Sequence, residues 1–173
     1  MIVTVGGLVG AGKSTLGKGL AKKYGLDYIS AGQVMRDLAK QKNMSLQQYS
    51  SIAEENPEID RLIDEEQKKA AHDNCVVDGR LAAYFIEDAD LRVWLTAPAD
   101  VRATRIASRE NITVTESGKR IRNREKSERI RYKQIYDIKL DDLSIYDLVI
   151  NTGVFHEKAT RDIVSKALDY ILD

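Results

Sequence analysis

Hydrophobic and polar positions divide the chain into two kinds of segment. Short apolar runs rich in β-branched residues predict buried strands, and between them apolar residues recur at helical spacing, as Leu16 and Leu20 do. The predicted strands are 2–5, 28–30, 75–78, 91–96 and 147–151. The predicted helices are 13–24, 31–41, 45–54, 57–72, 81–85, 98–109, 113–136 and a last one that ends at Leu172.

Polar residues mark the starts of three predicted helices. Ser45 and Gln48 have the spacing of a capping box, and Thr113 and Glu116 repeat it. Asn56 precedes a proline at the first position of its helix, where proline is favoured. Because strands alternate with helices, we expect an α/β fold with a five-stranded parallel sheet covered by helices on both faces.

The first strand leads into a segment that fits the phosphate-loop (P-loop) pattern G-x-x-x-x-G-K-[ST]. Its glycines let the loop curl, so that backbone N–H groups and the positive end of the next helix face an anion. We expect Lys13 to reach the β- and γ-phosphates of ATP, Ser14 to ligate Mg²⁺, and Thr15 to assist at the α-phosphate. The remaining ATP-binding residues expected here are Gly7, Leu8, Val9, Gly10, Ala11 and Gly12.

A P-loop alone does not distinguish a GTPase, an ATPase motor and a small-molecule kinase. The sequence lacks the Asn-Lys-x-Asp pattern that reads guanine, and 173 residues leave little room for a motor's transmission elements. Arginines, which bind phosphates through paired hydrogen bonds, recur instead at the ends of predicted elements. They are Arg36, Arg80, Arg105, Arg109, Arg124 and Arg131.

Six segments, in order, resemble the nucleoside monophosphate kinases and most closely the short cytidylate kinases of archaeal type. They are GLVGAGKST, YISAGQVMRDLA, ENPEIDRLID, VVDGRLA, VWLTAP with the arginine-rich segment, and SIYDLVINT. The resemblance covers nearly the whole chain and implies the P-loop NTPase fold. It also implies a phosphotransferase that uses ATP with Mg²⁺ to phosphorylate a nucleoside monophosphate, with CMP favoured and dCMP or UMP next.

The resemblance also implies where the acceptor binds. In that family a Ser-x-Gly-x-x-x-Arg pattern opens the acceptor-binding helix, and here it is Ser30, Gly32 and Arg36. Glycine lets the acceptor approach the backbone, and the guanidinium group can grip its phosphate. The resemblance does not identify the residues that contact the acceptor base. The polar side chains Asp37, Asp60 and Glu128 are the candidates for that contact.

Two loops at strand ends complete the expected site. Asp78, Gly79 and Arg80 follow the third strand and resemble the family's DGR, at the strand end where open α/β sheets keep their sites. Asp78 is expected to order the waters of Mg²⁺, and Arg80 to hold the acceptor. The loop implied to hold the donor adenine follows the last strand and consists of Thr152, Gly153 and Val154.

Four of the arginines in the two helices after the fourth strand are candidate site residues. Arg105 and Arg109 share one helix face, and Arg124 and Arg131 share one face of the next helix. The second pair lies in Arg-Glu-x-x-Glu-x-x-Arg, which resembles the lid pattern of cytidylate kinases with Glu128 in place of the usual Asp. We expect the four arginines to act catalytically on the transferring phosphoryl group, and Arg131 also to bind the acceptor. Four further arginines are expected to be solvated: Arg102, Arg120, Arg122 and Arg129.

Charge is segregated along the chain although 27 basic residues balance 27 acidic ones. From Arg102 to Lys133 there are 11 Lys and Arg against 4 Asp and Glu, which fits an anionic ligand or a solvated helix face. An RNA-associated module, with Tyr132 and Tyr136 contacting nucleic acid, is the alternative of another class. Because no RNA-binding motif is present, we expect no nucleic-acid partner.

Adenylate, shikimate and dephospho-coenzyme A are the alternative acceptors.

The chain reads as one domain with two inserts. The predicted core is 1–30, 73–109 and 138–173, with a helical acceptor-binding insert at 31–72 and a lid region at 110–137. Both inserts are expected to close on substrates, since phosphoryl transfer between nucleotides requires that water be excluded. The lone cysteine, Cys75, lies in a predicted buried strand, and no apolar run reaches membrane-spanning length. We expect a cytoplasmic monomer.

Overall fold

The computed structural model describes residues 1–172, apart from the side chains of residues 46, 47 and 50. This part of the chain contains five strands: β1 (Ile2–Gly7), β2 (Asp27–Ser30), β3 (Cys75–Asp78), β4 (Leu91–Thr96) and β5 (Leu148–Asn151). It contains eight helices: α1 (Lys13–Tyr24), α2 (Ala31–Gln41), α3 (Leu46–Glu55), α4 (Pro57–Ala70), α5 (Ala82–Phe85), α6 (Ala99–Glu110), α7 (Val114–Tyr136) and α8 (Glu157–Leu172). The types and order of these elements agree with the prediction.

The strands form one parallel sheet in the order β2-β3-β1-β4-β5. Strand β1 lies at the centre, and all of its residues are buried, as expected where helices cover both faces. Val5 pairs with Asp78 of β3, and Gly7 pairs with Leu95 of β4. The carboxyl ends of these strands therefore meet at one edge, where the P-loop begins.

The main core lies between the sheet and the helices α1 and α8. Leu16 and Leu20 of α1 and Val164 and Leu168 of α8 pack in one cluster with the apolar residues of β1 and β4. Burial of this surface contributes about 25 cal/mol per Å² to folding. Helix α1, which carries the P-loop lysine at its first position, is thereby fixed to the sheet.

Helices α2, α3 and α4 form the insert between β2 and β3, and they share a cluster of their own. It consists of Ala39, Tyr49, Ala53, Ile59 and Ile63. The predicted capping box of Ser45 and Gln48 is confirmed, and Asn56 caps α4 through the amide of Glu58. Thr113 caps α7 through the amide of Glu116, which is one half of the box predicted there.

The predicted lid region consists mostly of the long helix α7, which is packed at both ends. Near its start, Ile121 packs with Ala103 of α6 and with the P-loop residue Val9. Near its end, Tyr132 packs with Leu81 and Leu140. The division of the chain into core, insert and lid stays a prediction.

Cys75 is fully buried in a small cluster with Ile2 and Val77, as its strand position predicts. Burial raises the pKa of its thiol, which favours the unreactive protonated form. Among the residues described, no helix is both long and apolar enough to cross a membrane.

Leu168→Ala should lower the free energy of unfolding by about 2 to 5 kcal/mol, because the truncation leaves a cavity in the main core. Leu172→Ala is the matched control, since it makes the same change one turn later on α8, where the side chain is 53% exposed. The control should change the free energy by less than about 0.5 kcal/mol. Urea unfolding followed by circular dichroism measures both values, and equal losses would contradict this packing of α8.

Candidate active site

The segment after β1 forms the loop that the glycine pattern predicts. Gly10 and Gly12 have φ values of 78° and 98°, a conformation that favours glycine. The Lys13 ammonium group donates hydrogen bonds to the carbonyl oxygens of Gly7 and Leu8, at 3.1 Å each. The loop, the N-terminus of α1 and the Lys13 cation therefore lie together, as an anion-binding site requires.

Positive charge accumulates around Lys13. Burial and then the nearby charge of Arg80 lower its pKa to about 7, Arg124 acts in the same direction, and Asp78 and Glu128 partly oppose them. An ordinary lysine has a pKa of about 10.4, so the free protein holds this ammonium group at a cost. A bound polyphosphate would remove that cost by supplying negative charge.

The two predicted metal residues lie together. Asp78 ends β3, and its Oδ2 accepts a hydrogen bond from Ser14 Oγ at 2.7 Å and another from the Tyr28 hydroxyl at 2.6 Å. Within residues 1–172 no cluster of three His, Cys, Asp or Glu side chains could hold a metal. The Ser–Asp pair beside a phosphate site nevertheless fits Mg²⁺, which takes few protein ligands and keeps several waters and phosphate oxygens.

Tyr28 belongs to this polar cluster. Burial and then Asp78 raise the pKa of Tyr28 to about 12, and hydrogen bonding with Ser14 and Ser30 opposes the rise. The phenol therefore stays protonated near neutral pH and acts as a donor to the carboxylate.

The turn after β3 is fixed from the insert. Gln67 of α4 is buried and donates its Nε2 to the backbone carbonyl of Asp78 at 2.8 Å. A Cβ added to Gly79 would lie 2.5 Å from the Gln67 Oε1, so a larger residue here would push the Gln67 amide away from its hydrogen bond with the Asp78 carbonyl.

Glu128 of α7 is buried between two arginines. Its Oε2 lies 2.6 Å from Arg80 Nη2, and its Oε1 accepts from Arg124 Nε at 2.8 Å. Burial alone would raise the pKa of Glu128, but the two arginines hold it below its ordinary value. Each carboxylate oxygen of Glu128 is thus paired with an arginine. If Glu128 also contacted an acceptor base, the base would have to share one of these oxygens with a guanidinium group. The predicted contact between Glu128 and the base stays a prediction.

Two polar contacts fasten α7 to α4. Arg131 donates from Nε to Asp60 Oδ2 at 2.7 Å, and its Nη1 also contacts Ser127. The Tyr136 hydroxyl donates to Asp64 Oδ2 at 2.8 Å. Burial raises the pKa of Asp64 to about 7, although the hydrogen bond from Tyr136 opposes the rise. Asp60, a candidate for contacting the acceptor base, is paired with Arg131 in the structure.

The structure brings the three residues of the acceptor pattern together at the start of α2. A Cβ on Gly32 would lie 3.5 Å from Ser30 Oγ and 3.7 Å from Arg36 Nη1. The exposed guanidinium of Arg36 binds the neutral side chain of Gln33 at 2.8 Å, so its charge remains available to an anion. Asp37, another candidate base reader, accepts a hydrogen bond from the same Gln33 at 2.9 Å.

The loop after β5 is joined to the P-loop. The buried Thr152 hydroxyl donates to the carbonyl of Ala11 at 2.8 Å, and Arg105 donates to Thr152 Oγ1 and O at 2.9 and 2.8 Å. A Cβ on Gly153 would lie 2.6 Å from Pro98, whereas Val154 is 65% exposed. A cavity of about 180 Å³ lies here, lined by Ala11, Gly12, Thr15, Leu16, Leu95, Arg105, Thr152, Glu157 and Thr160.

A family model described as the cytidylate kinase-like family matches residues 2–154. The chain belongs to this family. Cytidylate kinases of Pyrococcus horikoshii, Methanopyrus kandleri and Archaeoglobus fulgidus are 45%, 42% and 46% identical to it. These matches cover 99%, 100% and 98% of this chain and 90%, 95% and 95% of the relatives, respectively. The resemblance to archaeal-type members is therefore confirmed.

Solved structures show the fold of this cytidylate kinase-like chain at lower identity. Shikimate kinase from Bacteroides thetaiotaomicron superposes with a TM-score of 0.63 at 17% identity and covers 98% of both chains. Shikimate kinase from Acinetobacter baumannii, in complex with shikimate, gives the same score and covers 99% of this chain and 92% of its own. At such identities the agreement concerns the fold alone.

One arginine of this family member is not where the sequence predicted. Arg102 was expected to be solvated, which is wrong, since it is 6% exposed. Its Nη1 donates to the carbonyl of Val9 at 3.0 Å and pairs with Glu125 of α7 at 2.7 Å. The carboxylate also accepts from the Val9 amide at 3.3 Å. Arg102 is buried because a distant helix supplies its counterion. The other three are exposed as predicted: Arg120, Arg122 and Arg129.

Arg109 lies apart from the cations around the P-loop, which are Lys13, Arg80 and Arg124. Although it lies one turn from Arg105 on α6, its guanidinium is 68% exposed and pairs with Glu110 at 3.0 Å. A catalytic role for Arg109 would require it to move towards the P-loop, and that role stays a prediction.

Three site residues were missed from the sequence, and two had a usable signal. Tyr28 and Ser30 share one face of β2, because strand side chains alternate, so the Ser30 assignment already pointed to Tyr28. Gln67 follows Asp60 by seven residues, which places both on one face of α4. The partnership of Glu125 with the P-loop had no local signal, since the two are separated by more than a hundred residues.

Glu125→Ala should lower the free energy of unfolding by about 3 to 5 kcal/mol, because it leaves the buried Arg102 charge without its partner. Glu66→Ala is the matched control, since it breaks an exposed pair with Lys69 and should cost less than about 1 kcal/mol. Urea unfolding measures both. Similar values for the two variants would show that the Arg102 pair is solvated.

Binding of a non-hydrolysable ATP analogue at about pH 8 should take up protons. In the free protein the Lys13 pKa is lowered to about 7, so at this pH much of the side chain is neutral, and polyphosphate charge restores its proton. Titration calorimetry in buffers of different ionisation enthalpy measures the uptake. It should fade towards pH 6, where Lys13 is already protonated, and vanish in Lys13→Met. Equal uptake in that variant would contradict the assignment.

Proposed function

We propose that this chain transfers the γ-phosphoryl group of ATP to CMP, and that dCMP and UMP are its next best acceptors. The observation that carries the proposal is its 42–46% identity, over the full length, to proteins named cytidylate kinase. The geometry supports it independently, because a P-loop, a Ser–Asp pair and several cations converge at one edge of the sheet.

On the donor side, the P-loop amides and Lys13 bind the phosphates of ATP. Residues 152–154 hold the adenine beside the cavity that Arg105 lines. Thr152 is hydrogen-bonded to both Arg105 and the P-loop. The residues that contact the adenine are therefore joined to those that contact the phosphates. This connection positions the γ-phosphate relative to the adenine.

Ser14 and Asp78 are the residues that would hold the metal, Ser14 through its hydroxyl and Asp78 through metal-bound water. When bound, the metal would supply positive charge that offsets the negative charge of the ATP phosphates. The chain's own contribution is to keep Ser14 and Asp78 within hydrogen-bonding distance of each other at the end of β3.

On the acceptor side, Arg36 and Arg80 bind the monophosphate, and Ser30 and Gly32 shape the turn on which it rests. An oxygen of the acceptor phosphate attacks the γ-phosphorus, the bond from that phosphorus to the β–γ bridging oxygen breaks, and ADP leaves. No side chain has to act as a base, because the attacking oxygen is already ionised.

Arg124 and Arg131 stabilise the charge of the transferring group when the site closes. In the structure each is held by a carboxylate, Arg124 by Glu128 and Arg131 by Asp60. The phosphoryl groups therefore compete with these carboxylates for the guanidinium groups. Closure of insert 31–72 and segment 110–137 excludes water and so prevents ATP hydrolysis.

An RNA-binding role for the basic segment has less support. Four arginines of α7 pair with carboxylates and do not present a free cationic face: Arg120, Arg124, Arg129 and Arg131. We expect the enzyme to act in the cytoplasm, and a monomer suffices because every proposed site residue lies in one chain.

In a coupled assay of ADP formation with ATP and Mg²⁺, CMP should be the best of the nucleoside monophosphates. AMP and GMP should be poorer by at least about tenfold in kcat/KM, because a pyrimidine-sized site excludes purines. Lys13→Ala, which should fold but retain less than about a tenth of kcat, controls for contaminating kinases. A higher kcat/KM for AMP than for CMP would favour adenylate kinase, and turnover of shikimate alone would overturn nucleotide acceptors.

A further inference from the structure

The Asp78 side chain is held by a residue that phosphoryl transfer itself does not require. Tyr28 reaches it from β2, the strand next to β3, and its hydroxyl is 2.6 Å from Oδ2. Ser14 donates to the same oxygen at 2.7 Å. In the described part of the chain, both side-chain hydrogen bonds to this carboxylate go to Oδ2, which leaves Oδ1 for another donor.

The ring of Tyr28 is fixed by close packing against α1. A Cβ added to Gly17 would lie 2.7 Å from Tyr28 Cε2, so the glycine at this position provides room for the ring. Lys18 lies on the same helix as Gly17, and its ammonium group is 5.8 Å from the centroid of the Tyr28 ring. Because α1 begins at the P-loop lysine, Tyr28 ties the orientation of Asp78 to the helix that holds the phosphates.

We propose that Tyr28 is a positioning residue that orients Asp78 towards the waters of the magnesium bound with ATP. The inference rests on the proposed function. With the phenol and Ser14 engaging Oδ2, the carboxylate cannot rotate freely, and Oδ1 stays directed at metal-bound water. Without the phenol, Asp78 samples other orientations, and part of the affinity that the metal adds to nucleotide binding is lost.

The test compares the affinity of a non-hydrolysable ATP analogue with Mg²⁺ and with EDTA, measured by titration calorimetry. The ratio of the two affinities is the gain due to the metal. In Tyr28→Phe this gain should fall by about three- to tenfold, less than a full hydrogen bond to a charged group is worth, because Ser14 still holds Asp78 Oδ2. The affinity in EDTA should stay within about twofold of the wild-type value, because the lost hydroxyl is uncharged and donates to Asp78.

Tyr24→Phe is the matched control. It removes the hydroxyl of another tyrosine, at the end of α1, which contacts Ser165 O at 3.2 Å and Asp169 Oδ1 at 3.3 Å. Its gain due to the metal should equal that of the wild type. In an Asp78→Asn background, Tyr28→Phe should cause no further loss of the gain, which a merely structural role of the ring would not predict.

An unchanged or larger gain in Tyr28→Phe would overturn the inference, as would an equal loss in Tyr24→Phe or an additive loss in the Asp78→Asn background. Failure of Tyr28→Phe to fold, seen as a lost thermal transition, would also overturn it by making the hydroxyl a structural requirement. If the wild-type protein did not bind the analogue at all, the proposed function would fail first. The two failures are therefore distinguishable.

Discussion

The concentration of positive charge around the P-loop is the constraint on which the rest of the site depends. Burial, and then the nearby charges of Arg80 and Arg124, lower the pKa of Lys13 to about 7. Cations so placed destabilise one another unless carboxylates lie between them, because burial weakens the screening by water. The structure supplies these carboxylates from the end of β3, with Asp78, and from α7, with Glu128. The docking of α7 against the sheet therefore helps to stabilise this concentration of charge.

Helix α7 contacts the P-loop, the end of β3 and the insert through residues spaced three positions apart. Glu125 faces the P-loop, where it accepts the Val9 amide and holds Arg102. Glu128, three residues later, holds Arg80 at the end of β3, and Arg131 reaches Asp60 in the insert. A displacement of this one helix would therefore change contacts at the P-loop and at the insert together.

The fold could be predicted from the sequence because its determinants are local. The P-loop pattern, the apolar strands and caps such as Asn56 act over a few residues, and the observed elements follow them. Contacts between distant elements could not be predicted in this way. Arg102 looked like a solvated residue because its counterion, Glu125, belongs to another helix. Glu128 and Asp60 could be nominated as polar candidates, but their arginine partners became visible only in three dimensions.

Solved shikimate kinases share this fold at 17% identity, so the sheet and P-loop alone do not specify an acceptor. Beyond the sheet and the P-loop, ion pairs lie where α7 meets the end of β3 and the insert. There, each arginine is kept in place by a carboxylate that carries one negative charge, such as Asp60 or Glu128. A doubly charged phosphate attracts a guanidinium more strongly than one carboxylate does. The carboxylates can therefore hold the arginines in place in the free protein. A phosphate group can still displace them, so the ion pairs are compatible with phosphate binding.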